Sequence, residues 1–275
     1  MSAREFLPRT LVLMGAGKMG GAMLEGWLSG GIDTSGLTVL DPNASDDLKI
    51  FAAHHRFRLN PPLAEIAQPE ALVLGVKPQT LDAAAEALAA LAGPGTLVVS
   101  ILAGKTIANL SLRAPGAKAF VRAMPNLPAS VRRGVTGVAA SDGVTTAQRD
   151  MTTALLAGIG SVEWVPGEEY IDAVTAVSGS GPAYVFHLVE CLADAGIAAG
   201  LPAEIAQRLA RATIEGAGEL LHQSALDPAT LRQNVTSPGG TTAAALEVLM
   251  AENGLKPLMR RAVAAARQRA ADLSG

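Results

Sequence analysis

The chain has 275 residues, of which 49% are hydrophobic and 17% are charged, and its formal net charge is −3. This composition is typical of a globular protein with a large core and excludes a disordered chain. A net negative charge also argues against a nucleic-acid partner, because such binding depends on clustered Lys and Arg side chains.

No signal peptide or membrane-spanning segment is expected. The first apolar run breaks into glycines, and no stretch of about 20 apolar residues follows it. The predicted compartment is therefore the cytoplasm, with no membrane partner. The single cysteine, Cys191, lies in an apolar run and is expected to be a buried small residue.

The first half of the chain alternates short aliphatic runs with Ala- and Leu-rich stretches. Strands that are almost continuously apolar, separated by helices such as Asp82–Gly93, predict a parallel sheet covered on both faces. The predicted strands are Thr10–Gly15, Leu37–Leu40, Ala71–Val76, Leu97–Leu102 and Ala119–Met124, with two more in TGVAA and SVEWV.

The second half has a different pattern. After about Pro166 the strands stop, and long helical stretches follow from Pro182, separated by Gly, Pro and Asn residues that are typical of helix ends. Several of these stretches, Ala183–Ala199 most clearly, are apolar on more than one face. Such a helix must be buried on more than one side, so we expect packing against a second copy of the chain. The alternative is a monomer whose helices dock on the sheet.

The sequence VLMGAGKMGGAM contains Gly15-x-Gly17-x-x-Gly20 between the first predicted strand and a helix. In this context the glycines permit a tight turn, close approach to a pyrophosphate and close helix packing. The helix then directs its unpaired N–H groups at the phosphates. The loop predicts a nicotinamide dinucleotide cofactor; the alternative is a glycine-rich turn without a ligand.

Asp41 follows the second predicted strand, about 20 residues after Gly20. An acid at this position hydrogen-bonds the ribose hydroxyls of NAD and repels the extra phosphate of NADP. Against this, Asn43 and Ser45 could bind the extra phosphate of NADP, and Asp41 could instead cap the turn. Asp41 slightly favours NAD, and the choice between NADP and NAD stays open.

The ends of three further predicted strands carry small residues or Pro, in the segments Gly75–Gln79, Ser100–Thr106 and Met124–Pro128. Ligands of doubly wound sheets bind beyond the carboxyl ends of the strands. These segments therefore suit a backbone-lined channel for a dinucleotide. Lys77 is either a solvated strand-end lysine or a cofactor contact.

Five motifs occur in a recognisable order and spacing: the GxGxxG loop, VKP, RAMPNLP, SGSGPAY and SPGGTT. With them the chain resembles the pyrroline-5-carboxylate reductases, the enzymes of the last step of proline synthesis, over essentially its whole length. The resemblance implies an α/β fold, with an N-terminal Rossmann-type dinucleotide-binding domain (residues 1–166) and a C-terminal all-helical dimerisation domain (residues 167–275). It also implies a homodimer, often assembled further into a decamer.

The resemblance also implies the cofactor contacts. They are Met14, Gly15, Ala16, Gly17, Lys18, Met19 and Gly20 in the dinucleotide loop, Asp41 near the adenosine ribose, Gly75, Val76, Lys77, Pro78, Ile101, Leu102 and Ala103 on the nicotinamide side, and Asn234. Two departures weigh against NADPH. Members that prefer NADPH commonly carry a small hydroxyl residue in place of Asp41, and an Asn that helps some members hold the 2′-phosphate corresponds here to Leu63.

The implied substrate is 1-pyrroline-5-carboxylate, a cyclic imine with a carboxylate, reduced to L-proline. Its contacts fall on Glu168, Thr241 and Thr242, and we add the preceding Ser237, Gly239 and Gly240 of SPGGTT. A carboxylate at a helix start gains from unpaired N–H groups and the helix dipole. Binding by backbone N–H groups needs no lysine, and no Lys occurs between Pro166 and Leu255. Thr242 is the candidate proton donor, with a bound water as the rival.

No spacing of His, Cys and carboxylates resembles a metal site, so no metal is expected. His187 is expected to be a core or interface histidine, and Ser180 an N-cap with Pro182 just inside the helix. Two other functions are alternatives. A β-hydroxyacid dehydrogenase needs a catalytic Lys, which this helical half lacks in its central part. A non-catalytic dinucleotide sensor needs no second anion site at SPGGTT.

Overall fold

A computed structural model describes residues 3–274 of the chain. These residues form two compact units: the first contains the chain up to Gly179 together with the stretch from Arg267 onward, and the second is Ser180–Ala266. The domain boundary after residue 166 stays a prediction. The last strand of the first unit ends at Trp164, two residues before that boundary.

The first unit is built on an eight-stranded sheet in the order β3-β2-β1-β4-β5-β6-β7-β8. The strands are β1 (Leu11–Met14), β2 (Leu37–Leu40), β3 (Arg58–Leu59), β4 (Ala71–Leu74), β5 (Leu97–Ser100), β6 (Ala119–Met124), β7 (Gly134–Ala140) and β8 (Gly160–Trp164). The bounds of β2 and β6 are as predicted, whereas β1, β4 and β5 are shorter than predicted.

The predicted parallel sheet is confirmed for β1 to β6, but it does not continue to β7. Strand β7 pairs antiparallel with β6, and β8 then runs parallel to β7. Only residues 125–133 separate β6 from β7, and a parallel crossover needs a dozen or more residues. The short connection therefore reverses the chain direction.

Helices cover both faces of the sheet, as the apolar strands predict. The helices of the first unit are α1 (Lys18–Ser29), α2 (Asp46–His55), α3 (Ala85–Leu91), α4 (Ile107–Arg113), α5 (Thr146–Ala157) and α6 (Ile171–Val174). On one face, Leu11 and Leu13 pack with buried residues of α1, α2 and α5. On the other, Val12 and Met14 pack with those of α3 and α4. Each buried Leu contributes roughly 1.5–3 kcal/mol to folding.

The second unit is helical, and it leaves large apolar side chains uncovered. It contains α7 (Gly181–Ala198), α8 (Ala203–Gln223), α9 (Pro228–Asn234), α10 (Thr241–Leu249) and the first part of α11 (Leu255–Ser274). Among its described residues, the buried ones are the small residues Ala193, Ala206 and Ala210. Phe186 on α7, by contrast, is 56% exposed. These helices need a further apolar surface to cover them.

Two local expectations on α7 need correction. Cys191 is exposed rather than buried, with Sγ 3.5 Å from Nε2 of His187, because the described residues of the chain leave this face of the helix uncovered. Ser180 occupies the N-cap position before Pro182, but its hydroxyl makes no capping bond. The chain enters α7 from a π-helical turn, Thr175–Gly179, so Ser180 already has helical backbone angles.

Within residues 3–274, every helix is too short or too polar to cross a membrane.

The contact between α1 and the end of α5 gives a test of the packing. A Cβ atom on Gly26 would lie 2.8 Å from the carbonyl oxygen of Gly158. We expect Gly26→Ala to lower the free energy of unfolding by about 1–3 kcal/mol, although Ala favours helix more than Gly does. The control is Gly95→Ala, whose Cβ would meet no atom within 4 Å. Urea denaturation at matched protein concentration measures both, and equal stability of the two variants would contradict the packing.

Candidate dinucleotide and substrate sites

The glycine-rich loop connects β1 to α1 through a tight backbone turn. Gly15 has a φ of +92°, a conformation that residues with a side chain rarely adopt. A Cβ atom on Gly15 would lie 2.7 Å from the carbonyl carbon of Gly75, and one on Gly75 would lie 2.7 Å from the oxygen of Gly15. The carbonyl of Gly15 also faces Gly20 closely enough to exclude a Cβ there. The loop, α1 and the end of β4 thus pack backbone against backbone.

The start of α1 is open toward the loop. Gly17 is the N-cap of the helix, and no side chain among the described residues caps it. A Cβ atom on Gly17 would meet nothing within 4 Å. The first turn of a helix has N–H groups without intrahelical partners. The open space at Gly17 and these donors fit a pyrophosphate group.

The loop borders a cavity of about 1060 Å³ in the first unit. The predicted cofactor residues that line it are Met14, Gly15, Ala16, Gly17, Asp41, Gly75, Val76 and Lys77. They meet because β2, β1 and β4 are neighbours in the sheet and their carboxyl ends share one edge.

The other predicted cofactor residues do not line this cavity. Lys18, Met19 and Gly20 form the first turn of α1, and Pro78 opens a 3₁₀ turn after β4. Ile101, Leu102 and Ala103 follow β5. Asn234 is the last residue of α9, in the second unit. Contact of these residues with a cofactor stays a prediction.

The cavity also has an apolar part that sequence reasoning missed, apart from Leu63. It is lined by Leu40, Pro42, Leu48, Pro61, Leu63, Ala83, Ala84 and Ala87. These residues come from four separate segments, so no local sequence signal connects them. An apolar lining next to Asp41 suits the adenine ring of a dinucleotide.

Asp41 both caps its turn and ties β2 to the loop. Its Oδ1 accepts a hydrogen bond from the backbone N–H of Asn43 at 2.9 Å, and its Oδ2 accepts one from that of Ala16 at 2.9 Å. The turn-cap interpretation is therefore confirmed. Asp41 also lines the cavity, so the turn-cap interpretation is compatible with a cofactor contact.

Glu168 is held by a buried arginine. Its Oε1 accepts hydrogen bonds from the backbone N–H of Ile107 at 2.8 Å and from Nη1 of Arg122 at 3.1 Å. Arg122 lies on β6, is 5% exposed, and also contacts Asp172 and Ser274. Sequence reasoning missed Arg122, although an arginine within the apolar run AFVRAM is a signal, because a buried cation needs anionic partners.

The predicted anion site begins α10 in the second unit. Gly239 has a φ of +70°, and the backbone N–H of Gly240 donates to the carbonyl of Ser237 at 3.0 Å. This turn leads into Thr241, the first residue of α10, and within the described part of the chain no side chain caps this helix. The structure thus brings Ser237, Gly239, Gly240, Thr241 and Thr242 together at one open helix start, whereas Glu168 belongs to the first unit.

Comparisons with known proteins identify the family. Residues 168–273 match the model described as pyrroline-5-carboxylate reductase dimerisation, and residues 10–104 match that of NADP oxidoreductase coenzyme F420-dependent. The pyrroline-5-carboxylate reductase of Pseudomonas aeruginosa is 39% identical over 264 residues, which are 96% of either chain. The chain belongs to the pyrroline-5-carboxylate reductase family.

Solved structures of family members share the fold. The enzyme from Coxiella burnetii has 34% sequence identity and a TM-score of 0.89, and the alignment covers 97% of this chain and 98% of that one. A Plasmodium falciparum pyrroline carboxylate reductase with NADP bound has 28% identity and a TM-score of 0.74, with the same coverage. The predicted family and fold class are confirmed.

The family match also bears on the oligomeric state. Residues 168–273 match a dimerisation domain, which supports a dimer, and the exposed apolar side chains of α7 lie within these residues. Among residues 3–274, no group of three His, Cys, Asp or Glu side chains is placed to hold a metal ion.

Substitution at Gly17 tests the cofactor cavity. Because a methyl group there meets no protein atom within 4 Å, we expect Gly17→Ala to keep the melting temperature of the wild type. The methyl group would intrude on a bound pyrophosphate, so coenzyme affinity should fall by about tenfold or more, corresponding to roughly 1.4 kcal/mol. Fluorescence titration with reduced coenzyme measures this, with Gly95→Ala as the control. Unchanged affinity would place the pyrophosphate elsewhere.

Arg122 can be tested against an exposed ion pair. Arg122→Met leaves the carboxylates of Glu168 and Asp172 without their buried partner, and we expect a loss of about 3–5 kcal/mol in the free energy of unfolding. Arg58→Met removes the exposed pair with Glu65 and should cost less than about 1 kcal/mol. Chemical denaturation compares the two variants, and similar small losses would refute the stabilising role of Arg122.

Proposed function

We propose that this chain catalyses the NAD(P)H-dependent reduction of 1-pyrroline-5-carboxylate to L-proline, the last step of proline biosynthesis. Family membership over nearly the whole chain supports this function. The structural observation that carries it is the uncapped helix start at SPGGTT, which supports a proposed anion site in addition to the dinucleotide cavity. A non-catalytic dinucleotide sensor has no use for this second site.

The coenzyme is proposed to bind along the carboxyl edge of the sheet. When bound, its reduced nicotinamide supplies the hydride that reduces the imine carbon. The proposed contacts are Met14, Gly15, Ala16, Gly17, Lys18, Met19, Gly20, Asp41, Gly75, Val76, Lys77, Pro78, Ile101, Leu102, Ala103 and Asn234. Eight of these residues line the cavity, which supports their assignment.

The substrate carboxylate is proposed to bind at the start of α10. The helix dipole there contributes about 0.3–1 kcal/mol, or up to about 2 kcal/mol in a partly buried site. Each hydrogen bond to the charged carboxylate adds roughly 1.5–3 kcal/mol. Two or three such bonds, from the region of Ser237, Gly239, Gly240, Thr241 and Thr242, provide affinity without a lysine.

Glu168 is proposed as a further substrate contact. Its carboxylate is fixed by Arg122 and by the first turn of α4. A carboxylate held in this way suits an imine nitrogen that becomes protonated during the reaction.

Thr242 is the proposed proton donor to the ring nitrogen. Reduction of the neutral imine adds one proton to the ring nitrogen and one hydride to the imine carbon, which gives a neutral amine without a build-up of negative charge, so a strongly acidic donor is not needed. A hydroxyl hydrogen-bonded to the nitrogen is sufficient, and most of the rate enhancement would come from orientation of the reacting atoms. A water molecule bound at the helix start is the rival donor.

The dimer is proposed to assemble further, up to a decamer. The reaction is proposed to take place in the cytoplasm. The resemblance to the family supports the first point, since many members form decamers. Particle mass in solution tests it: a mass of ten chains is expected, and a particle of two chains at all concentrations would limit the assembly to the dimer.

The function is tested by the initial rate of coenzyme oxidation with 1-pyrroline-5-carboxylate, measured with NADH and with NADPH at equal concentrations. We expect turnover with at least one coenzyme and formation of L-proline in equal amount. No turnover with either, from folded dimer that still binds coenzyme, would exclude the reductase function.

The role of Thr242 is tested by replacement. General acid catalysis typically contributes about 10²–10⁴-fold, so Thr242→Ala should lower kcat at saturating substrate by about 10²-fold. Thr242→Ser retains the hydroxyl and should stay near the wild-type rate. An unchanged kcat in Thr242→Ala would assign proton donation to the bound water instead.

A further inference from the structure

Asn60 makes an unusual set of hydrogen bonds just after β3. Its φ is +49°, a left-handed conformation in which Asn is enriched. Its backbone N–H donates to the carbonyl of Val39 at 2.9 Å. Its side-chain Oδ1 accepts from the backbone N–H of Asp41 at 2.8 Å, and its Nδ2 donates to the backbone carbonyl of Asp41 at 2.8 Å. The side-chain amide thus acts as a peptide group that extends the pairing of β2 with β3 beyond Leu59.

Together these bonds fix Asp41 at four atoms. Asn60 holds its backbone N and O, while Asn43 and Ala16 donate to the two carboxylate oxygens. A carboxylate has about four lone-pair positions. About two are therefore still able to accept hydrogen bonds from a ligand.

The charges around this carboxylate favour a coenzyme without a 2′-phosphate. The ionisable residues that line the cavity are Asp41 and Lys77. Lys77 follows β4, which is separated from β2 by β1, so the two strand ends are roughly 10 Å apart. On the elements next to Asp41, Lys49 and Arg58 form exposed pairs with Asp46 and Glu65, and neither cation lines the cavity.

We infer that Asn60 is a positioning residue that fixes Asp41 at the adenosine ribose, so that the enzyme selects NADH over NADPH. The ribose hydroxyls of NADH donate to the free lone pairs of Asp41, whereas the 2′-phosphate of NADPH brings additional negative charge to the same place. The inference rests on the proposed function for the identity of the coenzyme. It goes beyond that function because it names which of the two coenzymes is used and which residue enforces the choice.

Equilibrium binding of NADH and of NADPH, measured by calorimetry without the imine, tests the inference. For the wild type we expect the Kd for NADH to be at least tenfold lower than that for NADPH. Asn60→Gly keeps the left-handed conformation but removes both bonds to Asp41. We expect it to reduce the ratio of the two Kd values at least fivefold, mainly by weakening NADH binding.

Arg132→Gly is the matched control. Arg132 also has a positive φ, +57°, and it does not line the cavity. This variant should keep the wild-type ratio. A ratio that falls equally in both variants would point to a general loss of order and overturn the role of Asn60.

A second variant covers the case in which Asn60→Gly does not fold. Asn60→Ser keeps a small uncharged polar residue at this position, but its side chain is too short to make the two bonds to the backbone of Asp41. We expect a fall in the ratio of at least threefold. Equal or tighter binding of NADPH by the wild type would overturn the inference, as would an unchanged ratio in the folded Asn60 variants.

The binding measurement separates this inference from the proposed function. Tighter NADH binding without reduction of 1-pyrroline-5-carboxylate would support the selection and refute the reductase function. Efficient reduction with tighter NADPH binding would support the function and refute the selection.

Discussion

The carbonyl group of Gly15 is packed between Gly20 and Gly75 so closely that none of these three positions has room for a Cβ atom. This contact determines the geometry of the first unit around its site. It joins the end of β1, the first turn of α1 and the end of β4, and it leaves the open start of α1 facing the cavity. Because backbone lines this part of the cavity, phosphate groups can approach the N–H donors directly.

A different constraint governs the second unit. Its buried described residues are three alanines, whereas large side chains such as Phe186 remain exposed. Such helices do not form a stable core alone, and we propose that dimerisation, which the family match supports, provides the missing burial. The energy that stabilises this unit is therefore shared between two chains, while the core of the sheet belongs to one.

The fold was largely predictable because local signals agreed with it. The bounds of β2 and β6 follow from apolar runs ended by Asp41 and by Pro125. Strand β3 was not predictable, since its two residues are a strand only through pairing with β2. The reversal at β7 was predictable but missed, because the predicted strands Ala119–Met124 and TGVAA already leave a connection too short for a parallel crossover. The exposure of Cys191 was not predicted, because the apolar character of a helix does not show whether its own chain covers that helix.

The residues of the candidate site also fall into two groups, those that the sequence predicted and those that it did not. The glycine loop and Asp41 were predicted since each has a local signature, and the structure brings them together with Gly75 and Lys77. Asn60 and Arg122 were missed because their partners are distant in sequence: Asn60 bonds Asp41, and Arg122 bonds Glu168. Such residues position others, and only the folded chain shows which ones they hold.

The most direct test of the account follows the hydride itself. The enzyme would be supplied with 1-pyrroline-5-carboxylate and reduced coenzyme that carries deuterium at the transferred position, and the product would be examined by mass spectrometry and NMR. The account predicts L-proline with one deuterium on the carbon that was the imine carbon. Unlabelled proline, or no proline from folded protein with bound coenzyme, would contradict it.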